Sequence, residues 1–261
     1  MRPFALVLGG SLAISLLFLT LPVAAIFLDT SPAELWQSLG EEGALDALRL
    51  SLVCSTTSLA LVVLFGTPSA WLLATRRFPG RALVITLVEL PLVLPPAVAG
   101  IGLLAALGPQ GVFGGAIGDR LVLTTAGVVC ALTFVSAPFY MRQAQAAFEA
   151  LDQTWLDASR TLGATEARTF ARIAIPAAGP GLLAGIALAW GRALGEFGAT
   201  LMFAGSFRGI TQTVPLAIYE RFSTDFTGAL ALSAVLVAVS AALLMAVKLL
   251  SGTPWLGGAA R

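Results

Sequence analysis

Six long apolar stretches constrain the fold of this 261-residue chain more than any other feature. A helix needs about 20 apolar residues to cross the hydrocarbon core of a membrane. Backbone groups in lipid must be paired within the structure, and the stretches are too long to be barrel strands. The sequence therefore predicts an all-α membrane protein with six transmembrane helices, at about Phe4–Leu28, Leu50–Ala74, Ala82–Leu107, Leu121–Met141, Ala177–Ala204 and Phe226–Leu250.

The residue types that are rare or missing exclude several kinds of site. Charged residues make up 11% of the chain, and the net charge of +1 offers no basic surface for nucleic acid. With no histidine, and with Cys54 and Cys130 in separate apolar stretches, neither a zinc site nor a Cys–His pair is expected. The only lysine, Lys248, lacks the neighbours of a phosphate-binding P-loop. We therefore predict no catalytic residue, metal or cofactor, and expect a partner to hydrolyse any ATP that is used.

The positions of the basic residues predict the orientation, because Lys and Arg are enriched on the cytoplasmic side of a membrane. With the N-terminus inside, ten of the 15 basic residues are cytoplasmic, four are outside, and Arg192 lies within a span. We therefore predict that both termini and residues 149–176 are cytoplasmic and that the loop Asp29–Arg49 is outside. The first stretch is predicted to be a retained helix, because it is longer than the apolar part of a signal peptide. The predicted organisation is a first helix and loop over 1–43, a five-helix domain over 44–251 and a short cytoplasmic tail over 252–261.

Residues 149–176 form a polar segment between two apolar stretches. Its apolar side chains lie on one side of a helical pattern, and Arg168 and Arg172 lie on the other. This pattern predicts two short surface helices hinged at Gly163. Pro176 lacks an amide donor and therefore suits the start of the following helix. On periodicity alone, the pattern also fits an ordinary amphipathic loop that lies on the membrane.

The spacing within this segment resembles that of a known family. Permease subunits of ABC importers carry Glu-Ala-Ala, three residues, Gly, nine residues, Ile, one residue and Leu-Pro in a cytoplasmic loop. The departures here are Asp for Glu, Ser for the second Ala and Ile for Leu, and they conserve charge or size. The matching residues are Asp157, Ala158, Ser159, Gly163, Ile173, Ile175 and Pro176.

The resemblance implies a mechanical role for the segment. In such permeases a short coupling helix sits in a groove of an ATPase subunit, and small residues such as Ala158 and Gly163 permit close docking. ATP-driven closure of two ATPase subunits would then tilt the helices from an inward-facing to an outward-facing state. The implied assembly is a homodimer with two cytoplasmic ABC ATPase subunits and a periplasmic binding protein, in the cytoplasmic membrane of a bacterium or archaeon.

Further runs of sequence look like the molybdate importers within that family. They are Leu92–Gly100, Gly195–Gly205 and Thr211–Tyr219. Sulfate and tungstate permeases are close relatives, but those for sulfate tend to have Tyr and Ser at the positions of Phe197 and Ala199. The resemblance implies import of the tetrahedral oxyanion molybdate, with sulfate or tungstate as the alternative.

Two regions are candidates for the translocation path or its gate. Gly191, Gly195 and Gly198 would share one face of the fifth predicted helix, beside Arg192 and Glu196, which are four residues apart and can pair. The pair is either a neutral lock between helices or part of the path, because charges at membrane depth usually face protein or water.

The second candidate region is the third predicted helix. Pro91, Pro95 and Pro96 interrupt its hydrogen bonds, either beside the path or as a packing kink. The small and hydroxyl-bearing residues of the fifth stretch, such as Gly198 and Thr200, would offer neutral donors to an anion. An ion-driven secondary transporter and a membrane-embedded enzyme are alternatives from other classes, but the chain lacks the clustered ionisable residues that both need.

Overall fold

The computed structural model describes residues 2–29, 31–40 and 43–251, and the regular structure in these ranges is helical, with no strand. The predicted tail over 252–261 lies outside the described residues. One π-helical turn, Phe170–Ala174, joins α9 to α10. The α-helices are α1 (Arg2–Leu28), α2 (Pro32–Gly40), α3 (Ala44–Thr75), α4 (Arg81–Val93), α5 (Pro96–Leu107), α6 (Gly115–Leu121), α7 (Thr125–Glu149), α8 (Gln153–Thr161), α9 (Glu166–Thr169), α10 (Ile175–Ala177), α11 (Gly179–Leu194), α12 (Gly198–Ala204), α13 (Val214–Phe222) and α14 (Phe226–Ser251).

Four of the described helices are long and apolar enough to cross a membrane without interruption, namely α1, α3, α7 and α14. Two bent pairs raise the number of possible spans to six. The chain bends by 118° between α4 and α5, and by 74° between the stretch Glu166–Ala177 and α11. The predicted all-α membrane fold is therefore confirmed, with four continuous candidate spans and two bent pairs among the described residues.

Several predicted boundaries are wrong. The fifth span does not run from Ala177 to Ala204, because the helix ends at Leu194 and a new one begins at Gly198. The fourth span is Thr125–Glu149, so it begins later and ends later than predicted. Its start follows from Thr124, because the hydroxyl of this residue caps the helix by accepting a bond from the Gly127 amide 3.2 Å away. The predicted outer loop also contains α2 and the first residues of α3.

Helix α7 lies at the centre of the fold, between α3 and α11. Its buried side chains include Tyr140 and Phe148, and α3 contributes the small buried residues Ala70 and Cys54. Small side chains allow helices to approach closely where lipid gives no hydrophobic driving force. The packing therefore rests on close contact between these three helices.

Hydrogen bonds between side chains join these central helices at three levels of α3. Ser55 accepts a bond from the Trp190 indole nitrogen at 3.1 Å, and Ser58 accepts one from Thr133 at 3.1 Å. Thr67 and the Tyr140 hydroxyl lie 2.6 Å apart. Polar contacts of this kind between membrane helices contribute about 0.6–2 kcal/mol each. They tie the middle part of α3 to α7 and α11.

Helix α1 stands apart from this central group and packs along α14. Its apolar side chains are exposed on all sides, as at Phe18, which is 76% exposed. A helix that is apolar all round is stable only in an apolar environment. The exposure therefore agrees with a helix that lies in lipid or against another membrane subunit.

Candidate functional site

The candidate coupling segment, residues 149–176, begins with α8. The Asp152 carboxylate caps this helix by accepting a bond from the Thr154 amide at 2.9 Å. Bonds from the Thr154 hydroxyl and from its backbone amide lower the pKa of Asp152. Leu156 is 1% exposed and packs into the main core, whereas Ala158 on the same helix is exposed. One face of α8 is therefore anchored in the bundle and the other is open.

The predicted hinge at Gly163 is confirmed by the backbone. Gly163 has φ of +79°, a conformation that side chains with a Cβ rarely adopt. A Cβ at this position would meet nothing within 4 Å, so the glycine is required by the turn and not by close packing within the chain. Asp157, on the open side of α8, forms an exposed ion pair with Arg160 at 2.9 Å.

The two short helices of the segment are joined to each other and to the bundle. The Ser159 and Thr169 hydroxyls are buried and lie 2.8 Å apart, so Ser159 faces α9 and is not available to a partner protein. Arg76, directly after α3, forms an ion pair with Glu166 of α9 at 2.5 Å. These contacts join α8 to α9, and α9 to the end of α3.

The π-helical turn is held by aromatic contacts. The Phe170 ring lies 5.5 Å from Trp71 of α3 and 6.1 Å from Phe148 of α7, measured between ring centroids. Ile173 is half-buried against the same core, and Pro176 is exposed in the short helix α10, near its start as expected. The segment is therefore a continuous structure from α8 to α11 and not a loose loop.

The candidate gate residues lie where α11 ends and α12 begins. Arg192 and Glu196 form an ion pair at 2.5 Å between Nη2 and Oε2, with side-chain exposures of 28% and 1%. This contact is an ion pair and not an aligned hydrogen bond. The other carboxylate oxygen of Glu196 accepts a bond from the Ala199 amide at 2.7 Å. Glu196 therefore caps α12 and neutralises Arg192 at the same time.

The predicted glycine face is wrong. Gly191, Gly195 and Gly198 do not share a helix, because the chain breaks over 195–197. Only Gly198 approaches another helix closely, since a Cβ there would lie 2.7 Å from the Cβ of Pro96. Thr200 is fully buried, and its hydroxyl has no partner among the described residues, so in this conformation it does not face an open path.

The break at the prolines of the third predicted helix is confirmed, and it touches the break in the fifth. Pro91 lies within α4, Pro95 is the cap residue of α5, and Pro96 begins α5. A Cβ at Gly100 of α5 would lie 2.7 Å from the carbonyl oxygen of Ala199. The starts of α5 and α12 are thus in backbone contact, which brings the two predicted gate regions together.

Within the run Thr211–Tyr219, the first three residues form a buried polar turn, and the run then continues into α13. Thr211 accepts a bond from the Phe207 amide at 2.9 Å, and Gln212 donates to Glu220. Ser51 of α3 accepts a bond from the Val214 amide at 2.8 Å. These contacts fix the turn to α3 and α13.

The sequence analysis did not find an ion pair between α4 and α7. Glu89 and Arg142 lie 2.8 Å apart, with side-chain exposures of 36% and 48%. The signal was present as a lone acidic residue within the third apolar stretch. Nothing in the sequence pairs it with Arg142, which we expected in a loop beyond the end of the fourth helix.

A bundle of apolar, partly broken helices with a hinged polar segment at one end defines a membrane-embedded transport subunit. The sequence matches the family described as binding-protein-dependent transport system inner membrane component over residues 62–251. The chain belongs to this family, and it is therefore an inner membrane component of a binding-protein-dependent importer.

Curated relatives agree with this family. A probable molybdenum ABC transporter permease protein of Haloferax volcanii is 38% identical over 97% of this chain and 92% of its own length. The molybdenum transport system permease protein ModB of Mycobacterium tuberculosis is 39% identical over 89% of each chain. The sulfate transport system permease protein CysT of Escherichia coli is 34% identical over 95% of this chain and 92% of its own.

Solved structures show the same fold. A bacterial alginate ABC transporter in complex with its alginate-bound periplasmic protein has a chain that matches with a TM-score of 0.74 and 17% identity, covering 96% of this chain and 94% of that one. The inward-facing methionine transporter MetNI gives a TM-score of 0.64 and 19% identity, covering 85% of this chain and 98% of that one. The overall helix arrangement is thus that of ABC importer permeases.

Proposed function

We propose that this protein is the permease subunit that carries molybdate into the cell in an ATP-driven importer. The observation that carries the substrate is the identity of 38–39% to molybdenum permeases over at least 89% of the chain. Recognition of the anion would belong mainly to a separate periplasmic binding protein, in keeping with membership of a binding-protein-dependent family. The permease would supply a path that binds the dianion weakly enough to release it.

The proposed assembly is a homodimer with two ABC ATPase subunits on the cytoplasmic side. Its docking surface would be the open face of α8, with Asp157, Ala158 and the Gly163 turn. The inward face carries Leu156 and Ser159, which would transmit the movement to the bundle. Support comes from this division of the helix into an anchored and an exposed side. ATP hydrolysis would be the work of the partner.

The proposed orientation places both termini and residues 149–176 in the cytoplasm, and the Gly205–Arg221 turn outside. The distribution of basic residues supports it, because Arg76, Arg160 and Arg168 all lie at the end of the bundle that carries the coupling segment. The periplasmic protein would then deliver its anion at the opposite end.

We place the gate of the path where the breaks of α4–α5 and α11–α12 meet. Broken helices are tolerated in a membrane only where protein or water satisfies the freed backbone groups. Glu196 is buried and would repel an anion, so its role is to hold Arg192 and the start of α12. Gly195 is exposed beside it, and Pro95 and Pro96 flank the contact with Gly198.

Sulfate is the second candidate substrate, because the sulfate permease CysT is 34% identical over 95% of the chain. ATP hydrolysis by the reconstituted permease–ATPase complex tests both candidates. Binding protein would be loaded in turn with molybdate, tungstate or sulfate. Stimulation by the molybdate-loaded protein supports the proposal, and stimulation by the sulfate-loaded protein alone replaces the substrate. If the permease associates with no ATPase subunit, the coupling role is wrong.

A further inference from the structure

Two ion pairs of opposite polarity attach α4 to α7. At the ends of the helices, Arg81 of α4 contacts Glu149 of α7 at 3.0 Å. Further into the bundle the charges are exchanged, with Glu89 on α4 and Arg142 on α7 at 2.8 Å. The two pairs therefore differ in depth and in which helix supplies the cation.

The deeper pair lies in an unusual place for exposed charges. Glu89 is eight residues beyond Arg81, and Arg142 is seven residues before Glu149, so at 1.5 Å per residue both lie about 10–12 Å from the helix ends. Charges within membrane helices face a water-filled cavity or protein, because exposure to lipid is costly. The exposures of 36% and 48% show that this single chain does not cover the pair.

The surroundings of the pair connect it to the proposed gate. Within α4 no residue is buried, and the helix packs chiefly along α7. Glu89 lies one turn before the end of α4 at Val93, where the chain bends by 118° into α5. The start of α5 contacts α12 through Pro96 and Gly198. The pair thus lies on the coupling-segment side of the meeting breaks.

The guanidinium of Arg142 has unused donors. Among the described contacts only its Nε meets Glu89, which leaves the four N–H groups of Nη1 and Nη2 for another acceptor. By contrast, Arg81 donates from Nε to the Leu73 carbonyl at 2.8 Å and from Nη2 to Glu149 at 3.0 Å. A guanidinium presents its N–H groups in a geometry that suits oxyanions.

From this arrangement we propose that Arg142 is a contact site for the tetrahedral oxyanion on the inner side of the gate. Glu89 holds Arg142 in place and weakens the contact, so that the dianion is released into the cell. An unpaired arginine would retain a doubly charged ion, whereas transport requires binding that is weak enough for exit. This inference rests on the proposed function of oxyanion import.

Inhibition of uptake by anion on the inner side tests the inference. Vesicles carrying the full permease–ATPase complex would be loaded with ATP and with increasing molybdate, and uptake driven by external loaded binding protein would be measured. Glu89→Gln should lower the internal molybdate concentration that halves uptake by up to about fivefold, the value of one partly exposed ion pair. Arg142→Gln should raise it.

The opposite directions of the two shifts separate this role from a purely structural one. If the pair only clamps α4 to α7, both variants and the double glutamine variant would lower uptake alike without moving the half-inhibiting concentration, and the inference would be wrong. Arg142→Lys keeps the charge but loses the planar fork of N–H groups, so it should raise the half-inhibiting concentration less than Arg142→Gln does, which provides a second test if Arg142→Gln does not assemble. Arg81→Gln breaks the ion pair with Glu149 at the ends of the same helices and should leave the half-inhibiting concentration of internal molybdate unchanged.

The parent complex separates this inference from the proposed function. If it takes up neither molybdate nor sulfate, the proposed function fails before any variant is compared. If it takes up sulfate alone, the same series is run with internal sulfate. Uptake by the parent with no opposite shift in the two variants overturns only the role of Arg142.

Discussion

Replacing Glu196 with alanine is expected to destabilise the bundle strongly. The substitution removes two contacts at once, the ion pair with Arg192 at 2.5 Å and the acceptor for the Ala199 amide at 2.7 Å. Breaking a buried pair by removing one partner costs about 3–5 kcal/mol. Because Arg192 is 28% exposed, we take the lower end, about 3 kcal/mol. The unpaired buried amide adds about 1 kcal/mol, so the expected loss is about 4 kcal/mol.

Thermal unfolding of the purified protein in detergent, followed by tryptophan fluorescence, measures this loss. At about 2–4 °C per kcal/mol for a chain of this size, Glu196→Ala should lower Tm by about 8–16 °C. Glu196→Gln keeps an oxygen for the Ala199 amide and loses only the ion pair, about 3 of the 4 kcal/mol, so its Tm should fall by about 6–12 °C. Equal and small shifts in the two variants would refute the capping role.

The exchange Arg192→Glu with Glu196→Arg sharpens the test. A pair that only locks helices together would be restored by the exchange. The structure predicts no recovery, because an arginine at 196 cannot accept the Ala199 amide bond. Recovery of the parent Tm by the exchange variant would therefore contradict the double role of Glu196.

Three further outcomes are expected. Ala158→Glu should abolish binding-protein-stimulated ATP hydrolysis with little change in Tm, because the residue is exposed. Gly163→Asn should retain coupling, because asparagine tolerates positive φ better than other residues with a side chain. An unaffected Ala158→Glu complex would argue against docking at α8. Gly100→Ala should lower Tm, because its Cβ would lie 2.7 Å from the backbone of α12. The matched control is Gly102→Ala on the same helix, because its Cβ would meet nothing within 4 Å. Equal Tm values for the two variants would contradict the close contact. The lowered pKa of Asp152 means that its cap stabilises the protein fully above the ordinary carboxyl pKa of about 4, and that this stabilisation is lost as pH falls through the lower pKa of the folded state. The Tm of Asp152→Asn should therefore fall less on acidification than the Tm of the parent. Parallel curves of Tm against pH would count against the cap.

Much of the fold was predictable because apolar length alone identifies membrane helices. The breaks were harder to place. Three prolines marked the first, but Pro91 lies inside α4 and only the pair at 95–96 ends it. The second break carried no proline, and the glycines around Glu196 were interpreted as a packing face. Helical periodicity cannot reveal that the carboxylate of Glu196 caps a new helix that begins two residues later.

The coupling segment was predictable in its outline and not in its contacts. The spacing of Gly163 gave the hinge, which the positive φ confirms. Ser159 was grouped with residues that meet a partner, yet it is buried against Thr169. The roles of the predicted coupling and path residues remain predictions. Contacts between distant residues, such as Glu89 with Arg142, depend on how the helices pack and leave no mark on a single sequence.

The hydrogen bonds along α3 have a consequence for synthesis of the protein at the ribosome. Thr133, the partner of Ser58, follows it by 75 residues, and Trp190 follows Ser55 by 135. At 5–20 residues per second, Ser58 waits about 4–15 s for its partner and Ser55 about 7–27 s. During that wait α3 is already in the membrane, and the Ser55 hydroxyl can bond to the Leu52 carbonyl of its own helix, 3.3 Å away. The Ser55 hydroxyl can therefore enter lipid while bonded within its own helix, and the order of translation presents α7 to α3 before α11.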